Sequence, residues 1–458
     1  MGRGYSATRE GSTRNPRKTL RTRSVSLAQL NRTLSAAAEG RHLNEETDSL
    51  GPPEEEFSIK DPGVLSKFKT CGQITDAVLN EVCELCVPGA NTFDLCQKGN
   101  ESMLAKCRKV FRHAKDDDGN KIHRGICFPT NVSINNVLCN HCPQTLEEGK
   151  VIQEGDVVKV HLGCHVDGFP TQAAKTIVVG QGNLTSQKNA AAILAAEATA
   201  NVMTHMLRPG TENGTITDAI AHMAHHFGVE AVEGVLSNRT KRWIIDGSEA
   251  IIGRRVIKTL PQQDVAEVEI GDFQVWTLDV AFTTSSEYKM YLNDDNLNIW
   301  RRNEIEDQVR LRAAETLLHE CRSQLFCFPF TPNMTEKPLK TKLGIKALRE
   351  KQLVDSFPSL RSKPSTITTR CCLTVAVTDK RIHVLCGEPS QVAIFEGICG
   401  LTTPKSMAEI LATPLAFGTK KTLKKAAEAA GADEEAEEPA EEENDGTKPK
   451  AKKRRRMN

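Results

Sequence analysis

Two stretches of this chain end the same way. "ITDAVLNEVCELCVPG" spaces Ile74, Ala77, Val78 and Val82 on one helical face and halts at Pro88-Gly89, and "AAAILAAEATANVMTHMLRPG" halts at Pro209-Gly210. Proline cannot continue a helix, and glycine takes the left-handed conformation that closes one. Each stretch is followed by a second helical pattern, beginning near Thr92 and near Thr217. Each half then reaches a strand announced by Gly-Asp: "EGDVVKVHLG" after Gly155 and "IGDFQVWTLDVAF" after Gly271. Two α-α-β-β units in tandem predict one pseudo-symmetric α/β domain with a cleft between its halves.

Charge separates that domain from its flanks. The 458 residues carry 60 Lys and Arg against 59 Asp and Glu, but the near-neutral sum hides three charged regions. Up to Arg32 there are eight Arg or Lys and one acid, and from Lys420 onward "KKTLKK" is followed by "DEEAEEPAEEEND" and then "KPKAKKRRR". Blocks of like charge without apolar periodicity cannot bury enough surface to fold. The expected organisation is a disordered basic arm at 1–57, a folded domain at 58–416 and a disordered charged tail at 417–458. The run Lys452, Lys453, Arg454, Arg455 and Arg456 reads as a nuclear-targeting signal, and the start reads as a basic arm rather than a mitochondrial presequence. No run of eighteen apolar residues predicts a membrane span. Fifteen cysteines without a framework spacing suit reduced thiols.

In the core, "ICFPTNVSINN", "EGDVVKVHLGCHVDGF", "VEGVLS…IIDG" and "FPFTP" resemble the proliferation-associated, ErbB-receptor-binding protein family. Its members are relatives of type II methionine aminopeptidases. The resemblance runs in consistent order from Ser58 to Gly400. It implies the pita-bread fold, α/β (α+β) with two pseudo-symmetric halves, and a helical insertion at about 299–365 where "RRNEIEDQVRLRAAETLLHECRSQL" interrupts the strands.

The resemblance also implies a degenerate metal site. The aminopeptidases hold two divalent ions with two Asp, one His and two Glu. Those positions fall here on His161, Gln172, Asn238, Asp279 and Cys372, and the substrate histidine falls on Asn140, with His141 beside it. Two dications must be neutralised and bridged by anionic oxygens before they can acidify a shared water. One carboxylate, an imidazole, two amides and a thiol do not supply that. No catalytic residue, metal or other cofactor is therefore expected.

Other metal readings are weaker. "CELC" (Cys83, Cys86) sits on a helix, and "CNHC" (Cys139 to Cys142) lacks a second pair at zinc spacing. Cys164 and His165 adjoin on a strand, where alternation points them to opposite faces. No base-and-orienter spacing makes any cysteine a nucleophile.

What remains is a basic surface. "WRRNEIEDQVRLR", read as helix, and "TEKPLKTKLGIKALREK" bring together Arg301, Arg302, Arg310, Arg312, Lys337, Lys340, Lys342 and Lys346. In the resembled family this insertion and its neighbourhood bind RNA and the large ribosomal subunit. The expected function is thus a catalytically inactive, monomeric binder of ribosomal RNA and the large subunit, in the nucleus, nucleolus and cytoplasm. It would act in ribosome biogenesis and export, with pre-ribosome export factors as further partners, or in translation. A divergent metallo-aminopeptidase and a nuclear signalling or transcriptional adaptor are the alternatives. With aromatics at 5%, base stacking is not expected to be the main mode of contact.

Overall fold

The computed structural model describes residues 57–417, except 116–118, 181–184, 256–264, 294–296, 304 and 306. All of the basic arm but Phe57, all of the charged tail but Phe417, and the run Lys452 to Arg456 lie outside the described residues; those two phenylalanines pack against the body instead.

The first half comprises α1 (Pro62–Leu85), α2 (Thr92–Cys107), β1 (Arg124–Ile134), β2 (Val137–Cys139), β3 (Val157–Val166) and β4 (Phe169–Val178). The second begins with α3 (Gln187–Met206) and α4 (Asn213–Phe227). It continues through β5 (Glu230–Ala231), β6 (Leu236–Thr240), β7 (Ala250–Ile252) and β8 (Gln274–Thr283). After an excursion described below, β13 (Thr368–Val377) and β14 (Ile382–Cys386) return to the sheet, and α7 (Val392–Cys399) and α8 (Lys405–Leu411) follow. The main sheet runs β1-β3-β4-β13-β8-β6-β7, with β14 on β13 and β5 on β8. β13 is the seam, pairing with β4 of one half and with β8 of the other.

Local chemistry explains the helix ends. Asp61 accepts a hydrogen bond from the Gly63 amide ahead of Pro62, an N-cap with proline in the first turn. α1 stops at Leu85, ahead of Pro88. Two details differ from the sequence expectation. Ala77 is exposed, because the stripe facing the sheet runs through Cys71, Ile74, Thr75, Val78 and Val82. α4 starts at Asn213 rather than near Thr217, since the Asn213 side chain ties that end to the Ala250 and Ala266 carbonyls.

Alternation along the strands sorts the sheet into two faces. Val158, Val160, Leu162 and Cys164 of β3 pack under the helices of the first half. Leu278 and Val280 of β8, with Cys371 and Leu373 of β13, pack under those of the second. The intervening residues, among them His161, Asp279, Arg370 and Cys372, therefore share the opposite face.

Between β8 and β13 the chain leaves the sheet. β9 (Tyr291–Leu292) is followed by β10 (Ile299–Arg302), α5 (Arg312–Glu320), a π-helical turn (Cys321–Leu325), α6 (Pro338–Glu350), β11 (Val354–Phe357) and β12 (Leu360–Arg361). β10 and β11 pair antiparallel. Trp300, Leu317, Phe330, Ile345 and Leu348 give this excursion a core of its own. The stretch read as one helix from Trp300 is in fact strand to Arg302, and helix only from Arg312. The backbone of Trp300 is claimed by a two-way pairing with Phe330, at 2.9 and 2.7 Å.

Candidate functional site

The face opposite the helices brings the expected ligand positions together, around a residue that was not among them. Arg370 of β13 directs its guanidinium at Asp279 of β8, Nε to Oδ1 at 2.8 Å and Nη2 to Oδ2 at 2.6 Å. Both side chains are nearly enclosed, at 12% and 14% exposure. Burial alone would lower the arginine pKa, but the charge and hydrogen bonds of Asp279 outweigh it and hold Arg370 protonated. Both oxygens of the one carboxylate are thereby engaged by a fixed cation. Arg370 and Cys372 share a face by alternation, and Cys372 sits across from both Asp279 and Ala174 in the sheet. Its thiol is pushed well up, by burial first and then by Asp279.

His161 is held from one side. The Asn131 amide nitrogen reaches its Nδ1 at 3.3 Å and its backbone carbonyl at 3.1 Å. Burial, then the Arg370 charge, push its pKa well below the ordinary imidazole value, while Gln172 opposes this weakly. A neutral imidazole beside a guanidinium is the consequence. Asn131 also accepts from the Asn140 amide, and Asn140 donates to the Pro358 carbonyl. Asn140 occupies a left-handed conformation at φ 61°, which asparagine tolerates. His141 beside it is buried at about pKa 4, through desolvation and then Lys150. Asn238 of β6 spends its amide on the Gly247 carbonyl at 3.0 Å.

These residues do not fit a pair of hard cations. Asp279 is occupied, Gln172 and Asn238 are neutral, and two dications would have to sit against a guanidinium. Among the described residues no group of three or more His, Cys, Asp or Glu is arranged to hold a metal ion.

The excursion roofs this face. Phe128 packs on the His161 ring at 4.4 Å, and Phe357 of β11 meets Phe128 edge-on at 5.5 Å. Further along, Trp243 contacts Phe326 at 4.9 Å and Phe328 at 5.6 Å, and His165 lies 4.6 Å from Phe328. Rings from the excursion thus interleave with rings from the body. Trp243 also lies directly over Gly168, which has φ +79° and no room for a Cβ.

The cysteines separate. Cys164 points to α1, where its sulfur lies 3.4 Å from the Thr75 hydroxyl, and His165 points to the aromatic cluster on the other side. Cys142 lies by Cys96, and Cys139 by Arg370 and Asp279. Burial pushes Cys83 up to about 12 and Cys139 up to about 11, so these thiols are not poised as thiolates.

On the excursion, Arg310, Arg312, Lys337, Lys340, Lys342 and Lys346 are exposed, and Arg302 is half-buried. Arg301 is a correction. Its side chain is only 12% exposed, is bound at 2.8 Å to Asp246 and lies over the Phe357 ring, so its charge is consumed inside the fold rather than offered to a partner.

The fold defines a class, that of family M24, whose metallopeptidase sequence model matches residues 66–258. The protein titled "Structure of a thermophilic Arx1" superposes with a TM-score of 0.68 at 23% identity, covering 78% of this chain and all of that one. ERBB-3 binding protein 1 of Arabidopsis thaliana is 30% identical over 323 residues, 70% of this chain and 80% of the relative. Proliferation-associated protein A of Dictyostelium discoideum is 30% identical over 373 residues, 81% and 93%. The chain belongs to the proliferation-associated, ErbB3-binding protein family, within the M24 pita-bread fold.

Arg370 was the residue that sequence reasoning missed. A signal existed: an arginine within "TTRCCLTVAV", a strand-like run of otherwise uncharged residues, must find a buried acid.

Proposed function

We propose that this protein is a non-catalytic member of its family that binds RNA and the large ribosomal subunit through the segment between β10 and β11. The observation that carries the non-catalytic part is the Arg370 guanidinium bound to both oxygens of Asp279. It puts a permanent positive charge where the aminopeptidases gather negative ligands for their ions, and it leaves no carboxylate to bridge them.

The binding part is supported by α6 and its approaches, where Lys337, Lys340, Lys342 and Lys346 stand exposed on a separately packed unit. Lysines and arginines against phosphates give shape-led binding that weakens steeply with salt. On this reading the protein acts as a monomer in large-subunit biogenesis, export or translation, shared between nucleus, nucleolus and cytoplasm.

Two measurements test the proposal. Purified full-length protein should retain no stoichiometric divalent ion through dialysis and should release no N-terminal Met from a peptide; two ions per chain would refute the non-catalytic reading. Ribosome co-sedimentation should weaken for the triple variant Lys340→Glu, Lys342→Glu, Lys346→Glu, with a flatter salt dependence. It should persist for the control Lys421→Glu, Lys424→Glu, Lys425→Glu. The reverse pattern would move the contact to the tail.

A second reading, a nuclear adaptor acting on DNA, is favoured by one relative. The "Curved DNA-binding protein" of Schizosaccharomyces pombe is 28% identical over 377 residues. Competition between duplex DNA and ribosomes for the purified protein separates the two.

A further inference from the structure

A pocket of about 290 Å³ opens where α6 meets β10. Leu297, Ile345 and Trp300 make its apolar wall, and Lys342, Lys346 and Arg349 line it as well. The three cations recur every three to four residues and so share one edge of α6. All three are exposed, and among the described residues none has a carboxylate within ion-pair distance. The Arg349 guanidinium lies 6.0 Å from the centre of the Trp300 ring. Trp300 is itself fixed by its backbone pairing with Phe330 and by the core of this segment.

We propose that this pocket is a nucleotide site: it takes one unpaired base of an RNA strand, with the adjoining phosphate held by Lys342 and Lys346. The inference rests on the RNA-binding reading above and deepens it. The pocket falls just below the about 300–1000 Å³ that drug-sized ligand cavities span, so it suits a single planar group rather than a duplex. Its wall is apolar where a base would lie, and its cations stand where the charge of a nucleotide would lie. Arg349 supplies a planar, weakly hydrated group of the kind on which unstacked RNA bases pile. Lysines that bound only phosphate would need no concavity beside them. Leu339 and Leu343, exposed at 84% and 52%, extend the apolar surface beyond the cationic edge and give a neighbouring unstacked base somewhere to lie.

The test compares two short single-stranded RNAs on the full-length protein. One carries 2-aminopurine at a central position, and the other an abasic site there. Binding is followed by anisotropy at several salt concentrations. The intact strand should bind on the order of tenfold tighter than the abasic one, and the aminopurine fluorescence should be quenched. Arg349→Lys keeps the charge, so the salt slope should stay while the difference between the strands disappears. Lys342→Glu with Lys346→Glu should weaken both strands and flatten the slope.

Equal binding of the two strands by the wild type, or discrimination that survives Arg349→Lys, would overturn the base pocket and leave phosphate-led RNA binding standing. If neither strand binds while ribosomes still co-sediment, the pocket falls and the proposed function remains. If ribosome binding is absent as well, both fall.

Discussion

Arg370 and Asp279 lie diagonally across neighbouring strands, close enough for two parallel hydrogen bonds of 2.8 and 2.6 Å. Their Cα atoms are offset by two residues in register, since Asp279 pairs with Cys372. The guanidinium therefore reaches back along the strand to the carboxylate, and two charges share a site from which water is mostly excluded. Removing one partner strands the other. Arg370→Ala or Asp279→Ala should each cost about 3–5 kcal/mol of stability, whereas replacing both with apolar residues of similar volume, Arg370→Met with Asp279→Leu, should be close to neutral. Urea unfolding of the three variants checks this. Single variants as stable as wild type would show that the pair is better hydrated than the burial implies.

Acid should loosen the fold. Burial, then Lys150, depresses His141 from 6.5 to about 4. Burial, then His123, depresses His165 to about 3, against the opposing pull of Asp167. A histidine whose folded pKa is depressed contributes stability that is whole above the unfolded value and is lost as pH falls toward the folded one. Between about pH 6.5 and 4 each such histidine removes roughly 1.4 kcal/mol per pH unit. The urea midpoint should fall over that window, and His165→Phe should shallow the fall. A midpoint that is flat from pH 7 to 5 would contradict the buried neutral assignment.

Gly168 carries a sharper constraint. Its φ of +79° is a glycine conformation, and a Cβ there would lie 2.4 Å from the Trp243 indole. Trp243 is itself pinned, donating its backbone N–H to the Gly168 carbonyl at 2.7 Å. Gly168→Ala should therefore destabilise the protein, by about 1–3 kcal/mol for the strained backbone alone, where the same change in an ordinary helix or strand interior stabilises. Trp243 emission should also shift as the ring is displaced from Phe326 and Phe328. Unchanged thermal stability and unchanged emission would show that the indole swings aside without cost.

Localisation offers an independent check on the tail. Deleting 448–458 removes the run Lys452 to Arg456 and should raise the cytoplasmic fraction of a tagged full-length protein. An unchanged distribution would point to the basic arm before residue 58 as the address.

The α-α-β-β echo was legible because its punctuation is local: Pro-Gly after a helix and Gly-Asp before a strand act within a few residues of themselves. Arg370 was not legible in the same way. Its role depends on which β8 carboxylate comes within diagonal reach, a register set by strand pairing across a separation of 91 residues. Arg301 failed for a related reason, since only the folded chain brings Asp246 to it, 55 residues away in sequence. Conversely, the stretch from Trp300 carries enough charge and spacing to imitate a helix, yet the strand pairing of β10 with β11 claims Trp300 to Arg302. The degenerate ligand positions were readable only through family resemblance, because no spacing in this chain alone marks His161 or Asn238.

The guanidinium on Asp279 is also a barrier to change at this face. Any dinuclear metal site at these positions would require the loss of Arg370, and that step alone leaves a buried carboxylate without a counter-charge. Gaining the missing acids first is no easier, because Asp at 161 or 172 adds negative charge while the amides and rings around it are already committed to one another. Each single substitution toward such a site is therefore unfavourable until several others have been made.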